Sequence, residues 1–468
     1  MKILNKLRKS NGMRVGLCVA ACMLGVREAH AEVVLSEQDG WTFTFDGRVN
    51  SFLSAGFGDD LPAPTPNPDP MAPVHTVMGE NSAAGNGVPN VGWPANYGQS
   101  DPSKQFTSIR VRSGMYGNIL GFGIARKLSE DTIIRGYISI WSTVESLSMD
   151  KWAPVPAEAR EGYLTAIGPW GSVKIGRMLT WMGRSGYEID TLYGHGYGVG
   201  LPCTDALGPA CGHIGTGALH PGYGAGFQYS TPSLGGLQLH VGIYDPIVFG
   251  EGSWTLAPFV RPEGSLAFDR RLGASSRIKV SVEGVYQPLS RVETDMATMT
   301  DIKFNTALWG VSGGLRLDVG PVRLGLSGFH GKGISLYYAL QRTQATEDRT
   351  HELRLFTGAY GQAALVFGRL QLSGGFGLAQ VQQTPDDKQN IRLSVIHYQA
   401  GYSGGVYFYA TDNIVLGLDF FQFVAKWYGA PTGTEDTAVV PPTVVITGKL
   451  AGEQQIVRFV NAGVTYHW

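Results

Sequence analysis

The sequence predicts an all-β protein, a transmembrane up-and-down antiparallel β-barrel of about sixteen strands. Three observations support this prediction. Apolar and polar residues alternate in segments from Trp41 onward, the connections alternate between short and long, and the chain ends on the aromatic Trp468. Tight turns at one end of a barrel and long loops at the other give this rhythm. Because lipid offers no hydrogen-bond partners, strands that cross it must close on themselves.

The first segment shows how the two faces of a strand divide. Its apolar face comprises Trp41, Phe43, Phe45, Val49, Leu53 and Phe57, opposite Thr42, Thr44, Asp46, Arg48 and Asn50. Side chains alternate between the faces of a strand, so one face is expected to meet lipid and the other a water-filled lumen. The polar faces of the chain are small and rich in glycine, with sparse charges. A soluble β-sandwich or propeller is the alternative, with bulky side chains packed in a dry core.

The last strand alternates in the same way up to the end of the chain. Its apolar face comprises Val460, Ala462, Val464, Tyr466 and Trp468. Aromatic residues form girdles at the membrane interfaces of such barrels. We expect Tyr466 and Trp468 to lie in such a girdle and to form the C-terminal signal for the barrel-insertion machinery.

The connections predict the two ends of the barrel. Short turns are expected at 129–131, 168–171, 319–321 and 411–413. Long loops are expected near 59–104, 146–159, 179–221, 246–260, 289–303, 332–349, 383–390 and 428–453. The first long loop is rich in proline and lacks periodicity, which is typical of a large exposed loop.

The N-terminus has the features of a secretory signal peptide. Basic residues precede an apolar run from Val15 to Val26, and Ala29-His30-Ala31 fits a cleavage site. The run is too short for a spanning helix, which needs about 20 residues. We therefore expect residues 1–31 to be removed and 32–468 to form the barrel. A lipoprotein signal ending at Cys22 is the alternative.

Composition excludes several other classes of protein. No further window has the ~18 consecutive apolar residues of a spanning helix. Only 16% of residues are charged, against about 25% in soluble domains. The signal takes six basic residues and one acidic residue with it, which changes the formal charge from −1 to −6. This mild acidity argues against nucleic acid as a partner.

Two cysteines remain after the signal is removed. Cys203 and Cys211 are eight residues apart in a stretch rich in glycine and proline. In an oxidising compartment such a pair is expected to form a disulfide. A free pair or a redox dithiol is the alternative.

One hairpin carries a resemblance to a known family. The segment from Arg160 to Arg177 reads Arg-x-x-aromatic, an apolar strand, Gly-x-x-Gly, a second strand and Gly-Arg. It resembles the fourth and fifth strands of the Gram-negative general porins. Phe45-Asp46-Gly47-Arg48 is similar to the start of that family's first strand. Strand rhythm and the aromatic C-terminus extend the likeness over nearly the whole mature chain.

The resemblance implies a homotrimer of sixteen-stranded barrels in the outer membrane, embedded in its lipid. Each barrel would pass small hydrophilic solutes, with its third loop, about 179–221, folded into the lumen. In the family, a basic wall faces acidic groups on that loop. Arg48 and Arg160 match wall positions by motif, and parity puts Arg110 and Arg112 on the polar face beside them. The acidic loop candidates are Glu188, Asp190 and Asp205.

Arg177 is a separate case, because parity sends it outward. An arginine at the bilayer midplane costs about 2–4 kcal/mol. We expect it at a strand end or in a subunit interface.

Other functions were weighed against the passive channel. A substrate-specific channel with a saturable binding site is the main alternative. A barrel with a blocked lumen is another. An enzyme is not expected, because a lipid-facing Ser–His pair would be required, and parity gives His240, His330 and His397 no serine partner. A metal site in the third loop, from His195, His213 and His220 with Asp190 and Asp205, lacks a standard ligand spacing. No cofactor is expected.

Overall fold

The protein folds into one closed antiparallel barrel of sixteen strands. The structure is a computed structural model. The structure describes residues 33–59, 74–75, 106–115, 117–142, 144, 157–190, 212–247, 259–273, 275–295, 298–334, 347–348, 350–389, 393–429, 431–436, 443–449 and 454–468. The prediction of the fold class is confirmed.

The strands follow one another around the barrel in chain order. Their bounds are β1 Trp41–Gly58, β2 in two segments Phe106–Arg112 and Asn118–Lys127, β3 Ile133–Ser142, β4 Ala157–Gly168, β5 Gly171–Leu179, β6 Tyr223–Ser230, β7 Leu237–Tyr244, β8 Arg261–Arg271, β9 Ser276–Asp295, β10 Thr300–Val319, β11 Val322–Lys332, β12 Leu355–Phe367, β13 Leu370–Val381, β14 Ile396–Tyr409, β15 Ile414–Trp427 and β16 Gln454–His467. Within the described residues one helix, α1, spans Arg184–Ile189. No helix in the described part of the chain is long and apolar enough to cross a membrane.

Closure of the barrel depends on β1, which pairs with β16 on one side and with β2 on the other. The register places Val49 opposite Tyr466 and Arg48 opposite His467. Trp468 then donates its backbone N–H to the Gly47 carbonyl at 3.1 Å and accepts from the Gly47 N–H at 3.3 Å. A further strand, Val33–Gln38, forms a hairpin with the first residues of β1.

The two faces of the strands divide as predicted. Apolar side chains on the outside are left open, for example Leu53 at 54%, Leu326 at 58% and Val464 at 41% exposure. Polar residues of the opposite face, such as Ser54 and Asn461, are buried at 4% and 0%. Tyr466 and Trp468 point outward, where Trp468 stacks on Phe45 with ring centroids 5.6 Å apart. Such an apolar exterior is typical of a barrel in lipid.

The β2 strand is interrupted at residues 113–117, a feature that the alternation did not indicate. Asn50 of β1 fills the gap in the hydrogen-bond ladder. Its side-chain oxygen accepts from the Gly114 N–H at 2.7 Å, and its Nδ2 donates to the Gly117 carbonyl at 3.2 Å. In a further hydrogen bond, the Asn118 Oδ1 accepts from the Asn50 N–H at 2.8 Å. The interruption therefore leaves these backbone groups paired, as burial requires.

The prediction of a long loop at 289–303 is wrong. β9 and β10 pair without a break from Ser276 opposite Val319 to Asp295 opposite Thr300. Each strand has 20 residues, about 65 Å at 3.3 Å per residue. The hairpin therefore extends beyond the hydrocarbon core, which is ~30 Å thick. The last loop also contains a hairpin, Pro431–Asp436 with Thr443–Lys449.

The inner face is not uniformly small and polar, which corrects the sequence-based expectation. A buried apolar cluster lines the lumen beside β9–β16 and includes residues from the loops that follow β5, β7, β11 and β13. The strand members include Phe52, Leu308, Phe356, Phe421, Phe423, Trp427 and Phe459, and the loop members are Met182, Leu219, Ile247, Ile334, Leu353 and Val395. Loops cover these positions, so they pack as a core and are shielded from lumenal water.

Candidate functional site

The loop between β5 and β6 is here called L3, and its described parts, residues 180–190 and 212–222, lie inside the barrel. Its helix α1 contacts β9, β10 and β11 on the inner wall. Two wall glycines make room for it. A Cβ at Gly314 would lie 2.9 Å from the Ser185 Cβ, and a Cβ at Gly325 would lie 3.0 Å from the Ile189 carbonyl oxygen. The prediction of an inward third loop is confirmed.

Two buried wall carboxylates hold the start of L3. Glu263 accepts hydrogen bonds from the backbone N–H groups of Trp181 and Met182, both at 2.8 Å. Glu283 accepts from the Gly183 N–H at 3.1 Å and from the Ser185 hydroxyl at 3.0 Å. Hydrogen bonds to a buried carboxylate are about twice as strong as neutral ones. These two glutamates therefore anchor the loop to the wall.

Trp181 forms the centre of a three-layer stack. The His240 ring lies 4.1 Å from it on one side, with an interplanar angle of 22°. The Arg184 guanidinium lies 4.1 Å from the Trp181 ring centroid. Only 7% of Trp181 is exposed. The stack joins the wall strand β7 to α1 and restrains the Arg184 side chain.

Of the predicted acidic loop residues, Glu188 lies on α1 inside the barrel. It forms an ion pair with Lys279 of β9 and a looser one with Arg184 at 3.7 Å. Asp190, just after α1, is 4% exposed and lies within electrostatic range of Tyr407. Asp205 and the cysteines Cys203 and Cys211 lie outside the described residues, as does His195.

The returning segment of L3, residues 212–222, lies on the inner wall formed by β12–β15. His213 is fully buried, and its Nε2 is 2.7 Å from the Ser403 hydroxyl of β14. Its ring centroid lies 4.2 Å from that of Tyr360. Close approach of the Thr216 backbone requires glycine on the wall, because a Cβ at Gly377 would collide with the Thr216 carbonyl oxygen. The described parts of L3 therefore contact the inner wall from β8 to β14.

The burial of His213 against the barrel wall predicts that the stability of the protein depends on pH. Burial lowers the pKa of His213 from 6.5 to about 3. The folded state therefore disfavours the protonated ring. The contribution of His213 to the free energy of unfolding is fully present above pH 6.5 and declines as the pH falls toward 3. Between pH 7.5 and 4.5 we expect a loss of about 2 kcal/mol in the free energy of unfolding from this residue.

Urea unfolding of the wild type and of His213→Phe at several pH values measures the effect. The phenylalanine variant should lose less stability on acidification than the wild type. Identical pH profiles for wild type and His213→Phe would contradict the assignment.

Three of the four predicted basic residues, Arg48, Arg110 and Arg112, lie on the inner face of the barrel. Arg48 lies within electrostatic range of Tyr187 on α1. Arg112, 3% exposed, donates from Nη2 to the Asn461 Oδ1 at 3.3 Å and lies over the Phe459 ring. Arg110 shares the inner face of β2 with Arg112, two residues away.

Arg160 lies at a bulge where the pairing of β3 and β4 shifts register. Its guanidinium stacks on Trp141, 4.5 Å from the ring centroid, and pairs with Glu158 at 2.9 Å. Arg177 binds the other oxygen of Glu158 at 2.8 Å and is 46% exposed. Arg177 thus points outward near the end of β5, as predicted, and its charge is paired there.

Sequence reasoning missed most of the charged residues around α1. Besides Glu263, Glu283 and Lys279, the inner wall carries Asp46, Arg135, Glu161 and Lys174 on β1, β3, β4 and β5. Parity placed Arg135 on the polar face, but nothing in the sequence ranked it above other lumenal charges. The register supplies the missing information, since it sets which inward residues share a row.

The structure also corrects the statement that His240 has no serine partner. Ser230 lies opposite it in the register, and its hydroxyl is 2.8 Å from His240 Nδ1. His240 is 8% exposed and stacked on Trp181 inside the barrel, so the pair is not presented to lipid. Its role here is to support L3. Among the described residues, no three histidine, cysteine or acidic side chains are grouped to hold a metal.

Comparison with solved structures identifies the class of fold. The outer membrane channel DcaP of Acinetobacter baumannii matches with a TM-score of 0.55 and 13% identity, over 93% of this chain and 100% of that one. The anion-selective porin from Comamonas acidovorans matches with a TM-score of 0.53 and 12% identity, over 92% and 100%. No family model matches the chain, and no curated protein matches its sequence. The protein therefore has the fold of the outer-membrane porins.

Proposed function

We propose that this protein is a porin of the Gram-negative outer membrane, through which small hydrophilic solutes and ions diffuse passively. The observation that carries the proposal is that the described parts of L3 are held inside a closed sixteen-strand barrel by contacts to β8, β9 and β14. The shared fold of DcaP and the anion-selective porin supports it.

The width of the barrel allows it to act as a molecular sieve. A barrel of about sixteen strands leaves an aqueous channel, whereas eight strands would be filled by side chains. L3 reduces the cross-section, and the apolar cluster fills the lumen beside β9–β16. Passage is then confined to the polar side, lined by the inner faces of β1–β7 and by α1. Bulky or apolar molecules are disfavoured there, because polar and charged groups line the path.

Assembly belongs to the same proposal. We expect a homotrimer whose barrels are embedded in outer-membrane lipid, delivered by cleavage of residues 1–31 and inserted through the C-terminal strand. The outward position of Tyr466 and Trp468 supports the last point. A bridge between Cys203 and Cys211 would stiffen the tip of L3.

Reconstitution into planar bilayers tests the function. Folded protein should produce stepwise conductance, with closures in groups of three, and ion current should rise in proportion to salt concentration. Heat-denatured protein at equal concentration is the control. Folded, membrane-inserted protein that gives no conductance would refute the transport function.

A further inference from the structure

We propose that the outward face of β15 and β16 carries a binding site for a phosphorylated lipid head group, with Arg458 and Lys426 as its cationic groups. The site lies on the outside of the barrel, at the end where the long loops are. It goes beyond the proposed channel function, because neither residue faces the lumen. Neither residue was a candidate from the sequence.

Alternation along the strands places both cations on the side that faces lipid. Arg458 shares its face of β16 with Val460, which is 39% exposed, and lies opposite Phe57 of β1, which is 43% exposed. Lys426 shares its face of β15 with Leu418, which is 53% exposed. Because side chains alternate strictly between the two faces of a strand, both cations point away from the channel.

The row that contains Arg458 lies at the membrane interface. The same row holds Tyr402 and Phe376, whose ring centroids are 4.8 Å apart and which belong to an aromatic girdle. Tyr466 of the opposite girdle is eight positions away on β16, about 26 Å along the strand. With a tilt of about 35–45° this length covers about 20 Å of an apolar band that is ~25 Å tall. Lys426 lies four positions further toward the loops, so both charged ends reach the level of the head groups.

The two charges are not neutralised within the described part of the chain. The Arg458 Nε donates to the Gln422 Oε1 of β15 at 2.9 Å, and this acceptor is neutral. Lys426 forms no ion pair with a described residue. One carboxylate, Asp59, lies on the β1 side of β16, where its Oδ2 accepts from the Ile456 N–H at 2.8 Å. Arg458 turns away from it toward β15, and two cations against this one carboxylate leave a net charge of +1.

A low apolar floor separates the two cations. Gln422, which holds Arg458, is four positions from Lys426 on the same strand, about 13 Å along it. Val424 lies between them on the outward face and is 7% exposed, and its neighbour Ala400 of β14 is 4% exposed. Longer side chains must therefore cover this floor. A head group above it can contact the guanidinium on one side and the ammonium on the other.

The position and the donors select the chemical class of ligand. A guanidinium presents paired N–H donors that fit two oxygens of a phosphate, and an ammonium adds a compact point charge. A phosphate monoester carries about −1.5 to −2 charges and three acceptor oxygens, so it can engage both cations at once. At the boundary of the apolar band, the anions within reach are those of lipid head groups.

Binding of phosphatidic acid to the folded, detergent-solubilised protein tests the site. Diacylglycerol with the same acyl chains is the paired probe, because it lacks only the phosphate. Native mass spectrometry of the full folded barrel counts the bound lipids and gives their dissociation constants. Phosphatidic acid should bind in a saturable way, about tenfold or more tightly than diacylglycerol, as expected for charge-assisted hydrogen bonds.

Matched variants separate the site from general charge effects. Lys426→Gln/Arg458→Gln should lose about tenfold in affinity for phosphatidic acid and none for diacylglycerol. Arg126→Gln/Arg270→Gln removes two outward cations at the other end of the barrel, on β2 and β8, which are too far apart to share one head group. This control should bind as the wild type does. Lys426→Gln alone breaks no contact to a described residue, so it should fold and still weaken binding if the double variant does not fold.

Four results would overturn the lipid site. These are equal affinity for the two lipids, equal affinity in wild type and Lys426→Gln/Arg458→Gln, an equal loss in the Arg126→Gln/Arg270→Gln control, and displacement of phosphatidic acid by excess inorganic phosphate. Dissociation of an oligomer by Lys426→Gln/Arg458→Gln, with lipid affinity unchanged, would instead assign this face to a subunit contact and also overturn the site. Conductance should equal that of the wild type in both double variants, so failure of the lipid site leaves the channel function standing.

Discussion

Replacing Glu263 and Glu283 together by alanine should release L3 from the barrel wall and enlarge the conductance of each channel. The two carboxylates accept from the N–H groups of three consecutive L3 residues and from the Ser185 hydroxyl. Their removal leaves buried donors without acceptors, each at a cost of about 1–3 kcal/mol. The summed loss, about 4 kcal/mol or more, should exceed what holds the loop in one position.

Single-channel recording and limited proteolysis measure the release. The double variant should show a larger and noisier conductance, with faster cleavage within L3. Glu293→Ala is the matched control, because Glu293 lies on the same strand as Glu283 but pairs with Arg291 and is 36% exposed. Conductance and cleavage rates equal to those of the wild type would show that other contacts position the loop.

Gly377→Ala should displace the returning segment of L3. A Cβ at this inward position of β13 would collide with the Thr216 carbonyl oxygen, which is backbone and cannot turn aside. Overpacking of this kind costs about 1–3 kcal/mol. Thermal unfolding in detergent should show reduced stability, and the channel should change in conductance because L3 shifts in the lumen.

Gly374→Ala is the control on the same strand. Gly374 points outward, and its added Cβ would lie 3.6 Å from the nearest atom, the Ser403 carbonyl oxygen. This variant should match the wild type in stability and conductance. If both substitutions behave alike, the contact between Thr216 and the wall is not what positions the returning segment.

Alternation along the chain was sufficient to predict the barrel, its two faces and the outward position of Trp468. The information is local, since each strand reports its own faces. The wall residues that hold L3 could not be found in this way. Glu263, Glu283 and Gly377 are ordinary inward residues by pattern, and their role depends on loop segments that are distant from them in the chain. Inward aromatic residues such as Phe421 were not predicted for the same reason, because only the loops that cover them explain their burial.

The residues of the candidate site also fall into those that the sequence predicted and those that it did not. The family likeness led to the correct loop and to Arg48 and Glu188 near it, but Arg135 and Lys174 required the register. His240 was expected to lack a serine partner, because strand-to-strand alignment is not readable from either strand alone.

The anchors of L3 also set the order of biogenesis. Glu283 lies 100 positions after Gly183 in the chain, and Ser403 lies 190 positions after His213. Each segment of L3 can dock only after the strand that carries its partner has joined the sheet. We therefore expect the barrel to form with a wide bore first and to narrow when L3 docks.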